Sequence, residues 1–151
     1  MHLTVLTKSE RETRLLAKIL ARSVLWQPYK KMGATVISLE GPLGSGKTTF
    51  IQGFSKGLGL KRTPQSPTFL LMKRYFLKKK KKQFWHIDCF RLKRPAELLQ
   101  LGFTDVIRDS GSIVVIEWGD KIKRILPNNT LRVLFSFAPI KNWRLILFCK
   151  K

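Results

Sequence analysis

Two groups of residues in this sequence are of the right type and spacing to carry chemistry. The first is Gly41-Pro42-Leu43-Gly44-Ser45-Gly46-Lys47-Thr48, which meets the pattern G-x-x-x-x-G-K-[ST] at every fixed position. Glycines let consecutive backbone N–H groups turn inward without Cβ clashes and form an anion-binding nest. A helix starting there adds its free N-terminal N–H groups and positive dipole end. In such a cradle Leu43, Gly44, Ser45, Gly46, Lys47, Thr48 and Thr49 surround phosphates. Lys47 reaches the β- and γ-phosphates, and the Thr48 hydroxyl ligates magnesium. The plainer alternative is a tight strand-to-helix turn. Against it stand the β-branched run Val36-Ile37 before the glycines and a helix-compatible run from Thr49 to Leu58 after them.

The second group is Asp88 and Glu117. Each ends a strand candidate, Phe84-Trp85-His86-Ile87 and the aliphatic run Ile113-Val114-Val115-Ile116 respectively, and Glu117 best fits the apolar-run-then-acid pattern. Ligands of parallel α/β sheets sit at the carboxyl ends of the strands. Two acids there suit a site in which one carboxylate anchors magnesium and another positions a water. The competing reading is an acid that caps a strand or pairs with a lysine. His86 alternates with Asp88 and could face the same site, although a lone histidine in a strand is more often packed. Trp118 could wall the pocket or belong to the core. Guanine readers carry N-K-x-D or T-K-x-D, which is absent here, so adenine is the favoured base. Neither a Cys/His metal cluster nor a nucleophile elbow occurs.

The elements that must position these groups follow from the pattern. Leu3–Leu6 reads as a strand. Ser9 with Glu12 reads as a capping box opening an amphipathic helix from Glu10 to Leu25. Pro28, Lys30, Lys31 and Gly33 connect it to the central strand. The helix after the glycine loop carries Phe50, Ile51 and Phe54 and stops at Gly57-Leu58-Gly59. Ser66-Pro67-Thr68 should be an exposed, extended loop. Phe69–Leu77 and Phe84–Asp88 read as strands, with Lys78–Lys82 between them as a solvated hairpin tip or a phosphate-contacting finger. Pro95–Leu101 reads as a short helix closed by Gly102, and Leu126-Pro127 as the end of another. Ile113–Glu117, apolar on both faces, belongs in mid-sheet. Leu131–Phe137 and Trp143–Cys149 close the chain as an antiparallel pair. The expectation is an α/β, P-loop NTPase-like domain of three layers spanning residues 1–151, its sheet mostly parallel with a C-terminal antiparallel pair.

Composition bounds the function. At 151 residues and 44 % apolar content the chain suits one domain with a real core. No apolar run approaches the roughly 18 residues of a membrane span, and the N-terminus lacks a secretory pattern. Cys89 and Cys149 cannot make a disulfide framework, so a reduced cytoplasm is the expected setting. Thirty Lys and Arg against nine Asp and Glu give a net charge of +21, which draws such a chain to RNA or DNA in a salt-dependent way.

Together the segments GPLGSGKTTF, QGFSKGLG, SPTF, HIDCFRL, ELLQLGF and VVIEWGDKI with a following LP, in that order, resemble the TsaE family. These are small P-loop ATPases of bacterial tRNA threonylcarbamoyladenosine synthesis. The resemblance implies binding of ATP and magnesium, slow hydrolysis alone, and docking on a threonylcarbamoyl transferase complex of TsaD and TsaB type. There, hydrolysis would reset the complex between turnovers. It also implies roles by motif: Glu117 as the magnesium-linked acid, Asp88 as the essential acid of H-x-D, and Thr68 as the threonine of a switch-like loop near the γ-phosphate. Glu10 and Lys141 fall where the family approaches the base. Pro42 and Ser45 stand where aspartate and alanine are common, and neither change removes a backbone donor that the nest needs. A small-molecule kinase, with Arg91 and Arg94 as lid candidates, or a basic RNA clamp that binds without turnover, are the competing classes.

Overall fold

The computed structural model describes residues 2–26, 32–61 and 71–151. Among them, seven strands form one sheet: β1 His2–Thr7, β2 Thr35–Glu40, β3 Met72–Leu77, β4 Lys82–Asp88, β5 Ser112–Glu117, β6 Leu131–Phe137 and β7 Arg144–Lys150. Four α-helices join them: α1 Glu10–Leu25, α2 Lys47–Gly57, α3 Pro95–Gln100 and α4 Phe103–Arg108. The strand order is β1-β7-β6-β2-β5-β4-β3. The middle pairings, β6–β2, β2–β5 and β5–β4, are parallel, whereas β1–β7, β7–β6 and β4–β3 are antiparallel. The closing pair is therefore one of two antiparallel margins on a parallel centre.

Alternation along the central strands divides the core into two layers. Ile37, Leu39, Ile113, Val115 and Phe84 face one side, where α1 and α2 cover them. Val36, Val114, Ile116 and Ile87 face the other, against α3, α4 and the 3₁₀ turn Gly119–Ile122. Every residue of β5 is buried, as a strand covered on both faces must be.

Helix α1 starts where its capping signal lies. Ser9 Oγ accepts from the Glu12 amide at 3.2 Å, and Glu12 answers by accepting from the Lys8 amide at 2.8 Å. Small residues then let α1 and α2 approach closely: Gly53 on α2 meets the Arg14 backbone of α1, and Gly57 meets Ala21 and the Lys18 backbone. A Cβ at Gly53 would lie 2.2 Å from the Arg14 carbonyl oxygen, which is backbone and cannot swing away. Gly53→Ala should cost about 1–3 kcal/mol by overpacking. Differential scanning calorimetry should show a melting temperature lower by roughly 3–10 °C.

Several boundaries differ from the sequence reading. Helix α2 begins at Lys47, two residues before Thr49, because Gly46 at φ 103° already turns the chain into it. Gly102, at φ 84°, both ends the turn after α3 and opens α4, a helix that short local periodicity does not reveal. The helix expected before Pro127 is a 3₁₀ turn followed by further turns. The β3 strand starts at Met72; Phe69 lies outside the described residues, as do Pro28, Lys30, Lys31 and Ser66-Pro67-Thr68. The lysine run splits: Lys78–Lys80 form a 3₁₀ turn, while Lys82 enters β4 and is buried.

Candidate phosphate-binding site

Strand β2 delivers the chain into the glycine loop at the carboxyl edge of the sheet. Gly41, Gly44 and Gly46 take φ values of 140°, 74° and 103°, a region that favours glycine. At Gly41 the approach is also close, since a Cβ would meet the Phe135 carbonyl oxygen at 2.4 Å. Ser45 is fully buried beneath the loop, and its hydroxyl has no hydrogen-bond partner among the described residues.

Lys47 folds back over the loop. Its Nζ donates to the carbonyls of Gly41 at 2.6 Å and Pro42 at 2.7 Å, and sits 4.0 Å from the centre of the Trp118 ring. Burial lowers its pKa, with Glu117, Asp120 and Asp88 pulling the other way. A buried ammonium held by carbonyl oxygens and an aromatic face exchanges readily onto a stronger anion.

The acids arrive by strand alternation. His86 and Asp88 follow Phe84 on the α2 side of β4, and Glu117 follows Ile113 and Val115 on the same side of β5. Asp88 and Glu117 are direct neighbours in the parallel ladder. Glu117 is buried and accepts from Thr48 Oγ1 at 3.3 Å through one oxygen, while the other lies 2.9 Å from His86 Nε2. His86 is therefore both packed and part of the site. Asp88 accepts from the Phe90 amide at 2.9 Å. Trp118, at φ 59°, walls the pocket and also packs against the second core layer.

A cavity of about 360 Å³ joins these groups. Leu43, Gly44, Gly46, Lys47, Thr48 and Thr49 form its floor, and Asp88, Phe90, Glu117 and Trp118 its far wall. Glu10, at the start of α1, lines it and a smaller annex of about 70 Å³ that Asn142 and Arg144 close. Lys141 is exposed and lines neither. Sequence reasoning missed Arg144, whose Nη2 donates to the Gly44 carbonyl at 3.3 Å from 100 residues away, and Phe90, whose ring centre packs 5.1 Å from that of Trp118 at a tilt of 45°. The HIDCF context of Phe90 was a usable signal; nothing local marks Arg144. Thr68 lies outside the described residues. Cys89 is no nucleophile, since burial, with Asp88 beside it, pushes its thiol up to about 12.

The donor set fits magnesium as phosphate sites hold it. A hydroxyl and a carboxylate converge at Thr48 and Glu117, and among the described residues no group of three or more His, Cys, Asp or Glu forms a separate cage. Magnesium in such sites takes one or two carboxylates and completes its shell with phosphate and water.

Below the loop, Glu40 is anchored to β6. Arg132 donates to both its oxygens at 2.8 and 2.6 Å, and Ser38 Oγ adds a third bond at 2.8 Å. Burial alone would raise the Glu40 pKa, but Arg132 and Ser38 outweigh it and hold the carboxyl below its ordinary 4.5. A carboxyl depressed in the folded state stabilises fully above its unfolded value, and that contribution disappears as pH falls through the depressed folded value. Arg132→Met should cost about 3 kcal/mol near neutral pH by stranding a buried charge. In urea melts the gap to wild type should narrow below pH 4.5.

A glycine nest, a lysine and a Thr–Glu pair at the carboxyl edge of a parallel α/β centre define a P-loop-type fold. The family described as "Threonylcarbamoyl adenosine biosynthesis protein TsaE" matches residues 7–142, and the chain belongs to that TsaE family of tRNA threonylcarbamoyladenosine biosynthesis. It is 34 % identical over 132 residues to the Bacillus subtilis protein of that name, covering 87 % of this chain and 76 % of the relative. To the Rickettsia conorii protein it is 38 % identical over 119 residues, 78 % of this chain and 62 % of that one. The crystal structure of Bacillus subtilis YdiB superposes with a TM-score of 0.74 at 29 % identity, covering 98 % of this chain and 84 % of that one. None of the α-helices described is long and apolar enough to cross a membrane.

Proposed function

We propose that this chain, acting as one domain over residues 1–151, binds ATP with magnesium and hydrolyses it in the cytoplasm. It would do so as the resetting subunit of a threonylcarbamoyl transferase complex of TsaD and TsaB type. The observation that carries the reading is the meeting of Thr48 Oγ1 with Glu117 at 3.3 Å beside a lysine already detained over an anion nest. Backbone N–H groups from Leu43 to Thr49 would bind the phosphates, and Lys47 would leave the Gly41 and Pro42 carbonyls for the β- and γ-oxygens. Thr48 and Glu117 would hold the magnesium ion, which offsets phosphate charge when bound. His86 would keep one Glu117 oxygen fixed while the other faces the metal. Asp88 or Glu117 would orient the attacking water, with Thr68 near the γ-phosphate. Glu10 would flank the base at the annex end of the cavity, with Lys141 approaching the base from outside the cavity lining.

The test is phosphate release from ATP with magnesium, alone and with TsaD- and TsaB-type proteins added. Slow release that rises with the partners supports the reading. No release under either condition refutes it.

A further inference from the structure

The charge on this chain is segregated as well as large. No acidic residue occurs between Glu40 and Asp88, while that stretch carries the run Lys78–Lys82 together with Lys73 and Arg74. The fold puts the lysine run at one end of a sheet margin, with Arg74 on the strand leading to it and Lys73 farther back, beside His86. Strands β3 and β4 form an antiparallel hairpin at the sheet margin, from Met72↔Ile87 to Leu77↔Lys82, with the lysines at its tip. Lys78, Lys80 and Lys81 are exposed there. Lys82 is buried, and burial first, then the charge of Lys80, lowers its pKa, so cations crowd the turn.

Aromatic surface accompanies the charge. Phe76 is 61 % exposed and Trp26, at the end of α1, is 76 % exposed, unusual for rings of this size. Each carries a cation: Lys80 Nζ lies 4.1 Å from the Trp26 ring centre, and the Arg74 guanidinium 4.7 Å from that of Phe76. Arg74 also sits 5.5 Å from the Trp85 ring centre, so its guanidinium contacts two aromatic side chains. Cations interleaved with exposed rings are the composition of surfaces that track a phosphate backbone and stack unpaired bases. An acidic protein surface would use the charges but leave the rings idle.

The hairpin tip is separate from the ATP cavity, whereas Lys73, paired with His86, lies at the other end of the strand. Asp88 ends β4 and Lys82 begins it, so at about 3.3 Å per residue the tip lies roughly 20 Å from the site acids. We infer that the β3–β4 hairpin is an RNA-binding element, in which Arg74, Lys78, Lys80 and Lys81 contact phosphates and Phe76 stacks on an unpaired base. This rests on the tRNA-modification reading only in the choice of RNA.

The experiment titrates a fluorescent, unmodified tRNA transcript with the full chain between about 50 and 200 mM salt. A triple variant, Lys78→Gln, Lys80→Gln and Lys81→Gln, removes solvated charges and spares buried Lys82. Its slope of log affinity against log salt should be shallower by about 2, with about tenfold or greater loss of affinity. Phe76→Ala should weaken tRNA binding by at least about fivefold and leave binding to labelled polyglutamate unchanged. ATP turnover by both variants should equal that of wild type, which keeps this test independent of whether the chain hydrolyses ATP. An unchanged slope and affinity in the triple variant would overturn the inference. So would polyglutamate binding as tight as tRNA binding with no response to Phe76→Ala, which would mark an acidic protein as the partner.

Discussion

Replacing Lys47 with alanine should lower phosphate release from ATP by at least about 100- to 1,000-fold, the usual loss when one preorganised donor to developing charge is removed. The effect is large because Lys47 is 5 % exposed and works beside Trp118, away from the screening of bulk water. Lys47→Arg should fare little better, because a planar guanidinium needs room that this buried position lacks. Stability should hardly fall, since the substitution removes a charge that burial disfavours. Melting temperature and turnover measured on one preparation decide the matter. Turnover within threefold of wild type would remove Lys47 from the phosphate site.

Glu117→Gln should have the second largest effect, at least about a 100-fold loss of turnover together with a weakened response to magnesium. The amide keeps the shape and can still bond Thr48 and His86, so the fold should survive and the lost charge is isolated. Manganese binding in the presence of a non-hydrolysable ATP analogue, followed by electron paramagnetic resonance, reads the metal directly. Unchanged manganese affinity would exclude Glu117 as a metal-linked acid. Glu117→Ala should add a stability cost of about 1–3 kcal/mol. His86 would then lose its Nε2 partner while its Nδ1 already lacks one among the described residues.

Much of the site was legible in the chain itself because its signals are local. A nest needs glycine at positive φ within a few residues, so G-x-x-x-x-G-K-T announces the loop wherever it occurs, and Gly41, Gly44 and Gly46 take such angles. Apolar runs ending in Asp88 and Glu117 announce strands whose carboxyl ends meet at that loop, and the two acids are ladder neighbours. The capping signal of Ser9 with Glu12 likewise opened α1 at Glu10.

Other features depend on which strand lies beside which, and no short window carries that. Whether β6 would neighbour β2, so that Arg132 could clasp Glu40 across 92 residues, is a property of the whole sheet. The same holds for Arg144 on the loop and for His86 turned onto Glu117 rather than simply packed. Lys82 looks like its four lysine neighbours in sequence, yet pairing with Leu77 draws it into the sheet while the others stay in the turn. Local chemistry thus set what the loop and the acids could do. Strand order, which is decided by non-local pairing and burial, set which side chains hold them in place.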